Sequence, residues 1–231
     1  SQDFPKERYV KVSGSEKWPS RSRLHNKTKA AAEGHRNLQT TVYVDILVPY
    51  TKRAMCHYAT GTSTLSCDNS QANRDAISSL VNLAVYVTNV AYQNSGIPGR
   101  MRLLHTYLVD ESYDESALSY RTILDQVKNM DGILDGVHTM RSTYGADLVS
   151  LFVDNHVDYS GLAFIGPQPE LMFSVVQYDV AAAWYNLAHE TGHNFGCYHD
   201  RQSVKCPGTG CCGGNCYNFG WQDPNNRYRT V

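Results

Sequence analysis

The 231-residue sequence is short of charge: Asp, Glu, Lys and Arg make up 19% of it, against about 25% in ordinary soluble domains. With 42% hydrophobic residues, such a chain is not a solvated, generally disordered polymer, and it can bury a sizeable core. A net charge of −1 leaves no bulk field that selects nucleic acid or a membrane surface as partner. Long apolar runs are missing as well. The strongest, Leu148 to Val153, falls far short of the ~18 residues that span a bilayer. There is no internal repeat and no low-complexity tract. No signal-peptide pattern opens the chain, although Ser1 is not a natural start and a leader is expected to have been removed. Residues 1–40 hold no cysteine, and no methionine follows Met172.

The charge that is present is unevenly placed. Residues 1–40 carry nine Lys and Arg against four Asp and Glu, whereas residues 41–231 carry twelve against eighteen. The first 40 residues have few large apolar positions and no period, so they read as a basic N-terminal segment, a leader or pro-segment remnant without its own core. A solvated tail leaning on the acidic body accounts for them better than an arm for an anionic partner. From residue 41 the pattern changes. Val42, Val44, Ile46 and Val48 recur with period two, which predicts a strand. Ala76, Leu80, Leu83, Ala84, Val87 and Val90 fall at helical spacing and predict a helix over 71–94, ended by Gly96 and Pro98. Further strands are expected at 101–109, 147–154, 161–166 and 173–178, and further helices over 115–130 and from Ala181 onward. Strands alternating with helices predict an α/β domain with a mainly parallel sheet.

The chemistry concentrates in His189-Glu-Thr-Gly-His193-Asn-Phe-Gly196-Cys-Tyr-His199-Asp200. His189 and His193 lie four residues apart where helix is expected, so one turn stacks both imidazoles on one face. Glu190 then points to the flank of that face, near a shared metal without binding it. Gly196 allows a positive φ and an abrupt exit from the helix, which returns His199 toward the same metal. Three neutral imidazoles with a fourth position open suit catalytic zinc, because structural sites fill all four positions with protein ligands. Zinc lowers the pKa of a bound water toward ~7. Glu190 is expected to accept that proton and pass it to the leaving amine, so that a peptide bond is hydrolysed without an acyl-enzyme. HExxH alone is moderate evidence; Gly196, His199 and Asp200 each add a separate mechanical role. The remaining histidines, His25, His35, His57, His105, His138 and His156, have no paired spacing and read as ordinary surface or core residues.

The run HETGHNFGCYHD resembles the HExxHxxGxxH signature of the metzincin zinc metallopeptidases. Asp200 directly after the third histidine, and the upstream run GLAFIG…FSVVQYDV…LAHE, resemble the adamalysin or reprolysin-like branch. The resemblance covers roughly residues 41–231 and is strongest over 161–200. It implies an α/β, metzincin-like catalytic domain with a twisted five-stranded mixed sheet, two long helices and an active-site helix. It also implies a cleft beneath the edge strand and a short disulfide-rich C-terminal subdomain. The family's zinc ligands fall on His189, His193 and His199, its general base on Glu190, and a structural role on Asp200. Substrate is then expected to lie extended, pairing with Gly161, Leu162, Ala163, Phe164, Ile165 and Gly166 as an added strand. One departure stands out. Metzincins carry a methionine in a tight turn under the zinc, whereas Met55, Met101, Met130, Met140 and Met172 all precede His189. Tyr228-Arg-Thr-Val231 resembles the run-in to that turn, so the chain is expected to be cut just before it, with part of the specificity pocket missing.

Seven cysteines, an odd number, include five between Cys197 and Cys216. The glycine-rich run from Cys206 through Cys211 and Cys212 to Cys216 lacks a clean CxxC pair and suits disulfides better than a second metal knuckle. Cys56–Cys67 is the expected isolated pair. Cysteine use and the Asn26-Lys-Thr28 sequon together predict a secreted, extracellular protein. Within residues 1–40, Asp3, His25 or His35 are the side chains able to reach the zinc and keep the site latent. Tyr198, Phe219, Trp221 and Tyr228 either line a substrate pocket or, as large aromatics near a cleft usually do, join the core. Trp184 and Leu187 read as packing residues. The leading expectation is a secreted zinc endopeptidase acting on a protein or peptide substrate. Its rivals are a latent or truncated inactive form, and a disulfide-stapled binding module whose zinc is structural.

Overall fold

Period-two alternation makes β1, Val42–Tyr50, the spine of the sheet in the computed structural model, which describes residues 41–201, 203 and 218–225. Ile46, Val48 and Tyr50 point to one face and Leu47 to the other, and each face buries its own apolar cluster. β2 (Gly99–Leu108) and β3 (Leu148–Val153) flank β1 in parallel. β5 (Phe173–Gln177) continues in parallel beside β3, and β4 (Gly161–Ala163) closes the edge antiparallel to β5. The result is a five-stranded mixed sheet in the order β2-β1-β3-β5-β4. β3 is buried along its whole length, as its unbroken apolar run requires of a strand covered on both faces.

Helices cover both faces. α1 (Lys52–Thr60), α2 (Gln71–Asn94) and α5 (Asn186–Asn194) contribute to the cluster built on Ile46, Val48, Leu148 and Phe152. α3 (Tyr120–Lys128) and α4 (Gly136–Tyr144) contribute to the cluster built on Leu47, Val149, Leu151 and Val175. α1, α2 and α3 start at Thr51, Ser70 and Ser119, whose side-chain oxygens accept from Ala54, Asn73 and Thr122 backbone N–H groups, caps worth about 1 kcal/mol each. A disulfide joins Cys56 and Cys67. Beyond α5, β6 (Tyr198–Asp200) and β7 (Phe219–Gly220) form a small parallel pair.

Two helices start later than expected, and the strand expected over 161–166 is regular only over Gly161–Ala163. The helix expected over 115–130 begins only at Tyr120, because Glu115 is buried as a hydrogen-bonding post and Ser119 caps the first turn. The helix expected from Ala181 begins at Asn186, because Tyr185 takes a left-handed φ of 55° that separates the turns over 181–184 from α5. Trp184 therefore lies before the helix and is only half-buried, whereas Leu187 is fully buried. Residues 1–40, the cysteines at 206, 211, 212 and 216, and Tyr228 lie outside the described residues. No helix among the described residues is long and apolar enough to cross a membrane.

Candidate metal centre and cleft

α5 carries His189 and His193 one turn apart, with ring centroids 4.7 Å from each other. The helix then stops in a two-bond turn. The N–H of Gly196 donates to the His193 carbonyl (2.8 Å) and that of Cys197 to the Gly192 carbonyl (3.0 Å), with Gly196 at φ +90°. Such a C-terminal motif requires a left-handed residue, which glycine adopts without penalty. It sends the chain back as β6, and His199 on β6 meets the helix pair. His199 Nε2 lies 3.1 Å from His189 Nε2 and 3.0 Å from His193 Nε2.

These three histidines form the candidate metal cluster, their ligand atoms all within 4.8 Å of one another. Zinc–nitrogen bonds of 2.0–2.1 Å at a tetrahedral angle separate ligand nitrogens by about 3.3 Å, so the observed spacing fits one such ion. The tautomer fits too. His193 Nδ1 sits 2.7 Å from the Cys197 carbonyl, a partner that holds the proton on Nδ1 and leaves the Nε2 lone pair for a metal. Burial lowers the His193 pKa, and the nearby His199 adds to the effect, outweighing the Cys197 carbonyl. The imidazole is thereby kept neutral, as a ligand must be.

Glu190 follows the first histidine and is 4% exposed, on the side of α5 that faces the start of β4. Asp200, after the third histidine, is buried, and its two oxygens accept from the backbone N–H (3.0 Å) and hydroxyl (2.6 Å) of Ser203. With β2 at the opposite edge, β4 is an edge strand of the sheet. Its regular pairing covers Gly161, Leu162 and Ala163. Phe164 and Ile165 follow it, and the Gly166 N–H donates to the His193 carbonyl at 3.1 Å. A cavity of about 500 Å³ reaches all three histidines and is walled by Tyr92, Met101, Phe195, Tyr198 and Trp221, with Arg100 at its rim. Trp221 is 46% exposed, so it belongs to this wall and not to the core; Phe219 packs on Tyr198 at 5.5 Å between ring centroids.

The sequence pattern of metallo-peptidase family M12, in its reprolysin form, matches residues 40–228. The chain belongs to metallo-peptidase family M12. Its relatives include a peptidyl-Asp metalloendopeptidase of Xanthomonas campestris, 35% identical over 156 residues, covering 66% of this chain and 35% of that protein. One of Stenotrophomonas maltophilia is 37% identical over 124 residues, covering 53% of this chain and 29% of the relative. The chain thus spans about a third of the length of the curated relatives it matches. A solved structure described as a chaperone–substrate complex superposes on 80% of this chain and 27% of its own, with a TM-score of 0.56 and 17% identity; that likeness is one of fold alone.

Several residues around the histidine cluster were not singled out from the sequence. Asn194 is fully buried, and its Nδ2 lies 3.0–3.1 Å from the carbonyls of Phe164, Leu171 and Phe173. Asn186 donates from Nδ2 to the Ser160 carbonyl at 2.6 Å. The Tyr92 hydroxyl lies 3.0 Å from Thr191 Oγ1, and burial pushes its pKa up to about 12. Asn186, Glu190 and Asn194 recur every four residues, a polar stripe along one side of the helix that was the available signal.

Proposed function

We propose that this chain is the catalytic portion of a secreted zinc endopeptidase, with residues 41–231 as the metzincin-like domain and residues 1–40 as a leader. The observation that carries the reading is the convergence of the three histidines His189, His193 and His199, with their Nε2 atoms 3.0–3.1 Å apart across His199. His189, His193 and His199 would hold the ion. When bound, zinc supplies an activated water and a polarised scissile carbonyl. The Glu190 carboxylate takes the proton released in the attack and delivers it to the amine as the C–N bond breaks. An extended peptide adds to the free edge of β4, along Gly161 to Gly166, by backbone pairing. Asp200 and Gly196 hold the turn that presents His199.

The name of these relatives, peptidyl-Asp metalloendopeptidase, supports aspartate as a favoured substrate side chain, and Arg100 offers a cation for it. Its Nη1 is anchored to the Ile97 and Gly99 carbonyls, each at 2.7 Å, on the cavity rim. The test is Glu190→Ala, assayed on paired peptides that differ only in Asp or Asn. The variant retains zinc and loses about 10²–10⁴ in rate, and the wild type favours the Asp peptide. Cleavage by the variant at the wild-type rate would overturn the mechanism.

A further inference from the structure

Gly161 is a glycine that its backbone does not demand, since it has no left-handed φ and sits in regular pairing with Val176. What it supplies is space. A Cβ built there would collide with Glu190 Oε1, and would lie 2.8 Å from Glu190 Cδ and 2.7 Å from Asn186 Nδ2. Carbon contacts normally settle near 3.5–4.0 Å, so no side chain fits while the carboxylate stays in place. The bare α-carbon of Gly161 is therefore one wall of the Glu190 carboxylate. Asn186 holds that wall in position. It sits one turn before Glu190 on α5, is 4% exposed, and binds the carbonyl of Ser160, the residue just ahead of Gly161. The same carbonyl accepts the Gln177 N–H of β5 at 2.8 Å, so the start of β4 is tied to both the sheet and the helix.

The geometry points to Gly161 and Asn186 as positioning residues for Glu190: the glycine sets how closely the carboxylate approaches β4, and the asparagine sets where β4 begins relative to α5. This rests on the peptidase reading above. The atoms that must yield to a Cβ at 161 include the far end of a flexible side chain, not backbone. A small substitution thus leaves the fold standing while moving the group that transfers the proton, and displacement of about 1 Å costs on the order of 10²-fold in rate.

The test uses the full zinc-loaded chain and the variants Gly161→Ala, Glu190→Ala, their double mutant, and Asn186→Ala. It measures kcat, KM, zinc affinity against a competing chelator, and thermal melting. In Gly161→Ala, kcat falls about 100-fold, while KM stays within about 2-fold and zinc affinity and melting are preserved. On top of Glu190→Ala the same substitution costs nothing further, because the group it displaces is already gone. Asn186→Ala lowers kcat in the same direction, also at constant zinc affinity. A Gly161→Ala kcat near wild type, an equal loss in the Glu190→Ala background, or a loss carried by KM or zinc affinity would each overturn the assignment. An unchanged kcat in Asn186→Ala removes that residue from it. If Glu190→Ala itself cleaves normally, the peptidase reading fails; if it is inactive while Gly161→Ala is active, only the positioning role fails.

Discussion

Glu115 shows how one buried residue ties the sheet to its loops. Its Oε1 accepts from Thr51 Oγ1 (2.5 Å) and the Asp154 N–H (3.0 Å), and its own carbonyl accepts from Asn155 Nδ2 (2.6 Å). Its Oε2 is buried without a hydrogen-bond partner among the described residues. Burial raises the carboxyl pKa above its ordinary value of 4.5, more than those hydrogen bonds lower it. The folded protein therefore holds this proton more tightly than the unfolded chain. The stability contributed is fully present below about pH 4.5 and is lost as pH rises through the folded value. Glu115→Gln removes that titration, so the melting temperature of the variant relative to wild type should climb between pH 4 and pH 8. A difference independent of pH would show that Glu115 does not titrate in this way.

At the scale of elements, legibility followed apolar spacing and the turn residues that punctuate it. α2 was readable to its ends because apolar residues recur at helical spacing and Gly96 stops it, but its buried face is Ile77, Leu80, Val81, Ala84, Val85 and Thr88. Of the six residues that announced it only Leu80 and Ala84 are buried, and Leu83 is exposed. α1 and α4 escaped notice. Each is nine residues long, too short for its apolar positions to repeat over several turns. The convergence of the three histidines was legible because the HExxH spacing and Gly196 encode that geometry locally. The contacts of Asn186, Asn194 and Gly161 join segments 21 to 30 residues apart in sequence, which no local pattern records. Gly196→Ala tests the local part. Forcing a Cβ residue to φ +90° should destabilise the protein by about 1 kcal/mol or more. Because His199 is delivered by that turn, zinc affinity should also drop by at least about 10-fold, measured by chelator competition. Unchanged affinity would mean that His199 is held from β6 and β7 alone.

Across the whole molecule, two devices fix the end of the sheet opposite the strand starts. One is the Cys56–Cys67 disulfide, spanning a separation of 11 residues. The other is His57, whose Nδ1 lies 3.1 Å from the buried Asp154 carboxylate at the end of β3. Together they fasten α1, and the loop that leads to α2, to the sheet. Closing a loop of this length removes unfolded-state entropy worth roughly 3 kcal/mol. Replacing both cysteines by alanine should lower the denaturation free energy in urea by about that amount, with zinc affinity unchanged because neither cysteine lines the histidine cavity. A parallel loss of metal binding would show that the two regions unfold as one unit.

The amide of Asn194 has one further consequence. By gathering the carbonyls of Phe164, Leu171 and Phe173, it clasps both ends of the 164–173 connection onto the last turn of α5. Both ends of the connection thus hang on one side chain of the histidine-bearing helix, so a single substitution at Asn194 would release them together.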